Sequence, residues 1–402
     1  GGAKRGPAGR GRRYMDDIPS HNINVQMPQI GSPAVVGFFK TDAGRAYCRE
    51  RGLRMLIMAP GTWGVRDPFM FYVHDEPDCG DYRMEGVPEN KKIGGMAQWC
   101  IEHAQELRQA VPPVPQMINL NSTYKPYNWA TYGQLADVFA TDPYFQSRLT
   151  DAFIRRPERI PIYSKVSYLL AVASAAGAAC APRPLHVFLD ATSRTDKASN
   201  RTFRIATPEE KRIELYYALA AGAKGLAYWW YSPGGVSSGV GTHQRGDARA
   251  AALWREIGLL GAEVRTAGPL LLRSAPIDLP VTASDNALWT RCLVSDDAIV
   301  MVAVNDDHRT DDQSTTCRPL EEVTCRLKLP EWLKPGSVFE ITSGGLKNLK
   351  TQQTGSGELA IELGRVTVTR LVVIARDAGL HKELDRLYQT RFAARAVALE
   401  NR

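Results

Sequence analysis

The sequence predicts an α/β chain: a (β/α)8 barrel whose first strand is absent or atypical, followed by an antiparallel β-sandwich. Three observations predict it. From residue 14 to about 265, short apolar runs ending in polar or acidic residues alternate with helical stretches, the pattern of parallel strands covered by helices. Seven such units in ~250 residues suit a barrel better than an open doubly wound sheet. From about 275 the texture changes to short alternating strands punctuated by turns, which reads as a sandwich.

The elements follow in order. Residues 1–13 (GGAKRGPAGRGRR) carry five basic side chains and no acidic one and read as a disordered tail. Tyr14–Ser20 reads as the end of a helix, so the first strand and most of the first helix are read as missing, by truncation or by replacement with the Gly/Arg stretch. The strand runs are HNINVQM (21–27), RMLIMAP (54–60), FMFYVHDE (69–76), PQMINLN (115–121), ADVFATDPY (136–144), LHVFLDA (185–191) and GLAYWWYS (225–232). Helices are predicted over 42–52, 94–110, 165–179 and 208–222, with a closing helix at 252–272. Four segments result: a tail at 1–13, a barrel at 14–274, a sandwich at 275–376 and a charged amphipathic helix at 377–402. The sandwich has no evident row of exposed aromatics and is expected to support the barrel.

Composition narrows the class. The chain has 402 residues, 44% hydrophobic and 23% charged, an ordinary globular balance. No apolar run approaches the roughly 18 residues of a membrane span; LLAVASAAGAACA (169–181) reads as a buried helix. Of the net charge of +7, five positive charges lie in the first 13 residues. The body therefore lacks the basic face that nucleic-acid binding requires. Seven cysteines are scattered without a CxxC pair, so neither a metal knuckle nor a full disulfide framework is expected. Cys317 and Cys325 flank a loop and are the pair that an oxidising compartment could join.

In a parallel barrel the chemistry stands at the carboxyl ends of the strands. Those ends carry Asn24 and Gln26; Thr62 and Trp63; His74, Asp75, Glu76 and Asp78; Asn119, Asn121 and Tyr124; Asp142 and Tyr144; Asp190 and Thr192; and Trp229 and Trp230. This rim is rich in carboxylates, amides and aromatic rings and poor in Lys, Arg and Cys. Such a mixture suits sugars, whose hydroxyls meet carboxylates and amides while their C–H faces pack on Trp and Tyr. No metal or cofactor is expected, and His74, His186 and His243 read as isolated, satisfied histidines. The most informative motif is HDEPD (74–78). A carboxylate at a strand end, fixed by a following proline and partly desolvated, is suited to protonate a leaving glycosidic oxygen. Two-residue alternation predicts that Trp229 and Trp230 point to opposite faces.

With FYVHDEPD, LADVFATDPY, TPEEKRIELYYALAAGAKGLAYWWYS and LWREIGLLGAEVRTAGPLLL in view, residues 14–275 resemble the glycoside hydrolase barrels related to family 42 β-galactosidases. The resemblance implies Glu76 as general acid/base. It also implies a nucleophilic glutamate at the end of the 185–191 strand, where this chain has Asp190. The residue before Glu76 is Asp75, where the family usually has Asn. Thr207-Pro208-Glu209-Glu210 reads as a helix start with a capping box and not as the missing nucleophile. Asp190 is therefore a candidate nucleophile, if about 5–5.5 Å from Glu76, while Asp190 or Asp142 is a candidate base at roughly 6.5–9.5 Å. Asp75, Asn119, Asn121, Tyr124, Tyr144, Trp63, Trp229 and Trp230 are the expected substrate contacts. The expected function is hydrolysis of a glycosidic bond in an oligo- or polysaccharide, in a secreted or periplasmic setting. The alternative is a non-catalytic glycan-binding or scaffolding protein on a degenerate hydrolase barrel.

Overall fold

The computed structural model describes residues 7–27, 37–38, 40–60, 62–82, 84–92, 94–109, 113–121, 126–144, 168–196, 201–232, 238–310, 313–353 and 357–402. The chain divides into two compact units, Gly1–Pro143 with Val172–Phe188, and Tyr144–Ala171 with Leu189–Arg402.

The first unit opens with α1 (Pro7–Ser20), β1 (Val25–Gln26), α2 (Asp42–Glu50), β2 (Arg54–Ile57) and β3 (Met70–Asp75). It continues with α3 (Pro77–Tyr82), α4 (Glu89–Lys92), α5 (Ala97–Gln109), β4 (Gln116–Leu120), α6 (Pro126–Tyr132), β5 (Val138–Thr141) and most of α7 (Tyr168–Cys180) and β6 (Leu185–Asp190), the first residues of α7 and the last two of β6 belonging to the second unit. The tail expected at 1–13 is helical from Pro7. Proline is well suited to a first helical position, and Ala8, Arg10, Arg12 and Arg13 are good helix formers. Residues 1–6 lie outside the described residues. At the far end of α1, Asp16 accepts from Tyr47 and pairs with Arg51 at 2.7 Å, which ties the helix to α2.

The second unit begins its regular structure with β7 (Thr192–Asp196), β8 (Arg201–Phe203), α8 (Pro208–Ala220), β9 (Gly225–Trp229), β10 (Ser238–Gly239) and α9 (Ala248–Leu271). Seven strands form one sheet in the order β1-β2-β3-β4-β5-β6-β9, and a three-stranded sheet runs β10-β7-β8. The pairs from β1 through β6 are parallel. All seven predicted strand runs are thus present in sequence order. The closed eight-stranded barrel is not: among the described residues β1 and β9 are the unjoined edges of the sheet.

Within the first unit, alternation sorts the strand residues. Leu56, Met70, Tyr72, Met117 and Ala140 form one apolar cluster with Phe188 on one face of the sheet. On α5 the buried residues Cys100, Ala104 and Leu107 recur at helical spacing and face β3. β4 is buried along its whole length, as expected of a parallel strand covered on both faces.

The sandwich comprises β11 (Ala275–Ile277), β12 (Val281–Ala283), β13 (Leu288–Val294), β14 (Ala298–Asn305), β15 (His308–Thr310), β16 (Thr315–Cys317) and β17 (Leu320–Lys328). It ends with β18 (Ser337–Thr342), β19 (Gly345–Asn348), β20 (Lys350–Gln353), β21 (Glu358–Val366) and β22 (Thr369–Ala375). Its six-stranded sheet runs β11-β13-β14-β22-β18-β19 and its four-stranded sheet β12-β17-β21-β20. Cys292, Met301, Cys325, Ile361 and Val372 meet in the core between them. Cys317 and Cys325 are free thiols: Cys325 belongs to that core, while Cys317 stands on the separate β15–β16 ladder.

α8 packs against this sandwich. Its start is the predicted capping box, with Thr207 accepting from Glu210 and Glu210 accepting from Thr207. Glu210 also accepts from the Thr315 hydroxyl at 2.9 Å, and the Tyr217 ring meets Trp289 edge-on. The expected C-terminal helix is two helices, α10 (Gly379–Arg391) and α11 (Ala393–Glu400), broken at Phe392. Tyr388, Phe392 and Ala396 pack with Ala262 of α9.

Candidate active site

The chemistry of the first unit begins with an irregularity in β3. Tyr72 pairs with Met117 and Asp75 with Asn119, so β3 takes three steps where β4 takes two. This bulge shifts the alternation by one residue. Asp75 is brought beside Asn119, whose Nδ2 donates to Asp75 Oδ1 at 3.0 Å. The Tyr72 hydroxyl donates to the same oxygen at 2.7 Å. His74 packs edge-on against Trp99 of α5, with ring centroids 5.0 Å apart, and its Nδ1 lies 2.7 Å from the Asp75 carbonyl.

Glu76, the next residue, has φ +48°, a conformation that non-glycine residues adopt rarely and at a cost of roughly 1–3 kcal/mol. Pro77 starts α3 immediately afterwards and prevents any extension of the strand. The Glu76 amide donates to the Asn119 carbonyl at 2.9 Å, and Asn121 Nδ2 donates to Glu76 Oε1 at 2.9 Å. Asn119 and Asn121 thus hold the turn and the carboxyl from neighbouring β4.

Asp142, just past β5, is 3% exposed. Asn119 Nδ2 donates to its Oδ2 at 3.2 Å, and the Glu76 carboxyl stands close by. Asp142 Oδ1 is buried and meets no N–H or hydroxyl donor among the described residues. Burial first, and then the nearby Glu76 carboxyl, hold the Asp142 carboxyl well above the usual carboxylate range, against the Asn119 donor.

Glu76, Asp142, Asp75, Asn119 and Asn121 come together in the first unit.

Four of the other predicted residues belong to the second unit. Asp190 lies in the second unit, where its Oδ1 accepts from the Thr192 amide at 3.0 Å and from the Thr192 hydroxyl at 2.6 Å. Tyr144, Trp229 and Trp230 belong to the second unit as well. Trp229 and Trp230 stack on each other, with centroids 4.9 Å apart and planes 11° apart, and do not point to opposite faces. β9 ends at Trp229, so strand alternation does not extend to Trp230. Trp63 lies in a 3-10 turn, Thr62–Gly64, and its side chain is outside those described. Tyr124 lies outside the described residues. His74 and His243 each contact a backbone carbonyl. His186 does not fit the expectation of a satisfied histidine: its Nε2 is buried with no partner among the described residues, and burial lowers its pKa to about 4. Among the described residues no three His, Cys, Asp or Glu side chains are arranged to hold a metal ion, and no helix is long and apolar enough to cross a membrane.

Sequence reasoning named Glu76 and Asp142 together as candidates but missed Tyr72, which holds Asp75. Tyr72 could have been singled out only by knowing the bulge, because strict alternation puts positions 72 and 75 on opposite faces.

Comparison with known proteins places this geometry on a familiar fold. A cycloisomaltooligosaccharide glucanotransferase of Paenibacillus sp., solved with cycloisomaltoheptaose, superposes with a TM-score of 0.56 over 91% of this chain and 83% of its own, at 7% identity. A structure described as a glycoside hydrolase gives a TM-score of 0.51 over 92% and 89%, at 9% identity. The fold is of the glycoside-hydrolase type. No protein-family model and no curated protein matches the sequence.

Proposed function

We propose that the chain cleaves a glycosidic bond in an oligo- or polysaccharide, with Glu76 delivering the proton to the leaving oxygen. The observation that carries this reading is the placing of Glu76, aimed by Asn121, beside buried Asp142, held by Asn119. A desolvated carboxyl beside a second one is the setting for general acid catalysis, which contributes about 10²–10⁴-fold in rate. Asp142 acts here as the partner that keeps the proton available. Asn121 keeps Glu76 aimed, and Asp75, Asn119 and the aromatic residues at the strand ends are suited to sugar hydroxyls and C–H faces. Within the glycoside-hydrolase fold, the FYVHDEPD and LADVFATDPY segments support a family 42-like grouping.

The test is turnover of a panel of defined oligosaccharides by the full chain and by Glu76→Gln, read as new reducing ends. Isomalto-oligosaccharides head the panel because the Paenibacillus protein was solved with a cyclic member of that class. Wild type should release product and E76Q should lose about 10²–10⁴-fold. Equal rates for the two would overturn the assignment.

One observation favours a second reading, glycan binding without cleavage. Hydrolysis needs a second carboxyl about 5–9.5 Å from the acid. Asp142 is buried and held by Asn119, and Asp190 is engaged by Thr192. Tight binding of a panel member with no product after prolonged incubation would select that reading.

A further inference from the structure

Glu76 holds a left-handed backbone conformation and depends on few contacts for its direction, so whatever fixes Asn121 also governs the acid. Asn121 is gripped at three points. Its Nδ2 donates to Glu76, its amide donates to Asp78 Oδ1 at 3.1 Å, and its carbonyl accepts from the Trp129 indole Nε1 at 3.4 Å. We propose that Trp129 is a positioning residue for the Glu76 carboxyl, acting through Asn121, with Asp78 as the second hold. The proposal rests on the reading of Glu76 as the proton donor.

The local architecture supports it. Trp129 is 6% exposed and sits on α6, a short helix whose other polar side chains tie down the segment that follows Glu76. Asn128 Oδ1 accepts from the Gly94 amide at 3.0 Å. The Tyr132 hydroxyl donates to buried Asp81 at 2.7 Å and accepts from the Met96 amide at 2.9 Å. On its other side α6 is held by Cys180, whose thiol contacts the Trp129 carbonyl at 3.1 Å. The contact is close enough that a Cβ at Gly133 would come within 2.2 Å of the Cys180 sulfur. One helix therefore fixes residues 81, 94, 96 and 121 together. A core tryptophan kept for packing alone needs no hydrogen bond to the residue that grips the acid, whereas a positioning tryptophan does.

Asp78 belongs to the same hold. Burial pushes its carboxyl up to about 7, against the Asn121 amide. Asp78 thus keeps its place as an acceptor for Asn121 while adding little charge beside Glu76.

The experiment separates positioning from packing. Trp129→Phe keeps the buried ring and removes the N–H. Asp78→Ala removes the acceptor, and Asp78→Asn restores one. Each variant of the full chain is examined by thermal unfolding, by the ¹³C-carboxyl titration of Asp142, and by kcat and KM on any panel member turned over. Losing the grip on Asn121 lets Glu76 drift from Asp142, so W129F and D78A should lower the Asp142 midpoint by about half a unit or more. They should also lower kcat about three- to tenfold with KM unchanged. D78N should recover most of both losses. A W129F protein that melts earlier but titrates as wild type would overturn the proposal and leave Trp129 as a core residue. The titration needs no substrate: a shifted midpoint in a chain that cleaves nothing would uphold the positioning and defeat the glycosidase reading alone.

Discussion

Acidic side chains are held by hydrogen bonds and ion pairs in both units, but their partners differ in kind. In the second unit they face cations. Arg204 forks onto Glu210 at 2.7 and 2.5 Å, Lys211 pairs with Glu214, and Arg212 bridges Glu256 at 2.7 Å and Glu263 at 3.0 Å. In the first unit Asp75, Glu76, Asp78 and Asp142 meet amides, a tyrosine hydroxyl and one another. The first kind of burial closes a charge balance and ties helices together. The second places carboxyls among neutral partners, where desolvation raises Asp78 and Asp142, a setting suited to proton-transfer chemistry. A raised pKa alone does not separate the two: burial pushes both Asp78 and Glu214 up to about 7, although Glu214 faces Lys211. The partner decides.

This contrast can be broken from either side. The largest effect is expected from E76Q, which should abolish turnover by about 10²–10⁴-fold while shifting the melting temperature little, since Glu76 is only half-buried. Arg212→Met attacks the other region. It strands Glu256 and Glu263, the latter 2% exposed, and should cost about 3–5 kcal/mol in chemical denaturation. An R212M protein of wild-type stability would mean that the second unit's ion network is not structural.

A third test sharpens the contrast through pH. The folded Asp78 pKa is raised from 3.8 to about 7, so the native state holds a proton that the unfolded state releases. Stability from this group is therefore present below about pH 4 and is lost as pH rises to about 7. His186, lowered to about 4, acts in the opposite direction, and Glu214 in the same direction. The difference between wild type and D78N cancels both. That difference should move against wild type by about 2–4 kcal/mol between pH 4 and 8; a flat difference would contradict the burial of Asp78. The smallest effect is expected at the α8 cap, where Thr207→Ala should cost about 1 kcal/mol, measured by urea unfolding.

Much of the fold was legible because it is written in local pattern. The seven strand runs, the helices between them and the capping box at Thr207 depend on apolar periodicity and on hydrogen bonds a few residues long. Glu76 was legible for the same reason, as an acid between a strand end and a proline. The site's arrangement was not. One extra residue in β3 turns Asp75 towards Asn119, and the partner of Glu76 arrives from β5. Both are consequences of strand register, which no window of sequence contains. The stacking of Trp229 on Trp230 escaped a rule that holds only inside strands.

The central claim is that buried Asp142, beside the Glu76 carboxyl, is held protonated well above the ordinary carboxylate range. Its most direct test is the ¹³C-carboxyl titration of Asp142 in wild type and in E76Q. A midpoint well above the ordinary carboxylate range in wild type, lowered when the Glu76 charge is removed, is the predicted result. An Asp142 that titrates near 4, unchanged by E76Q, would contradict it.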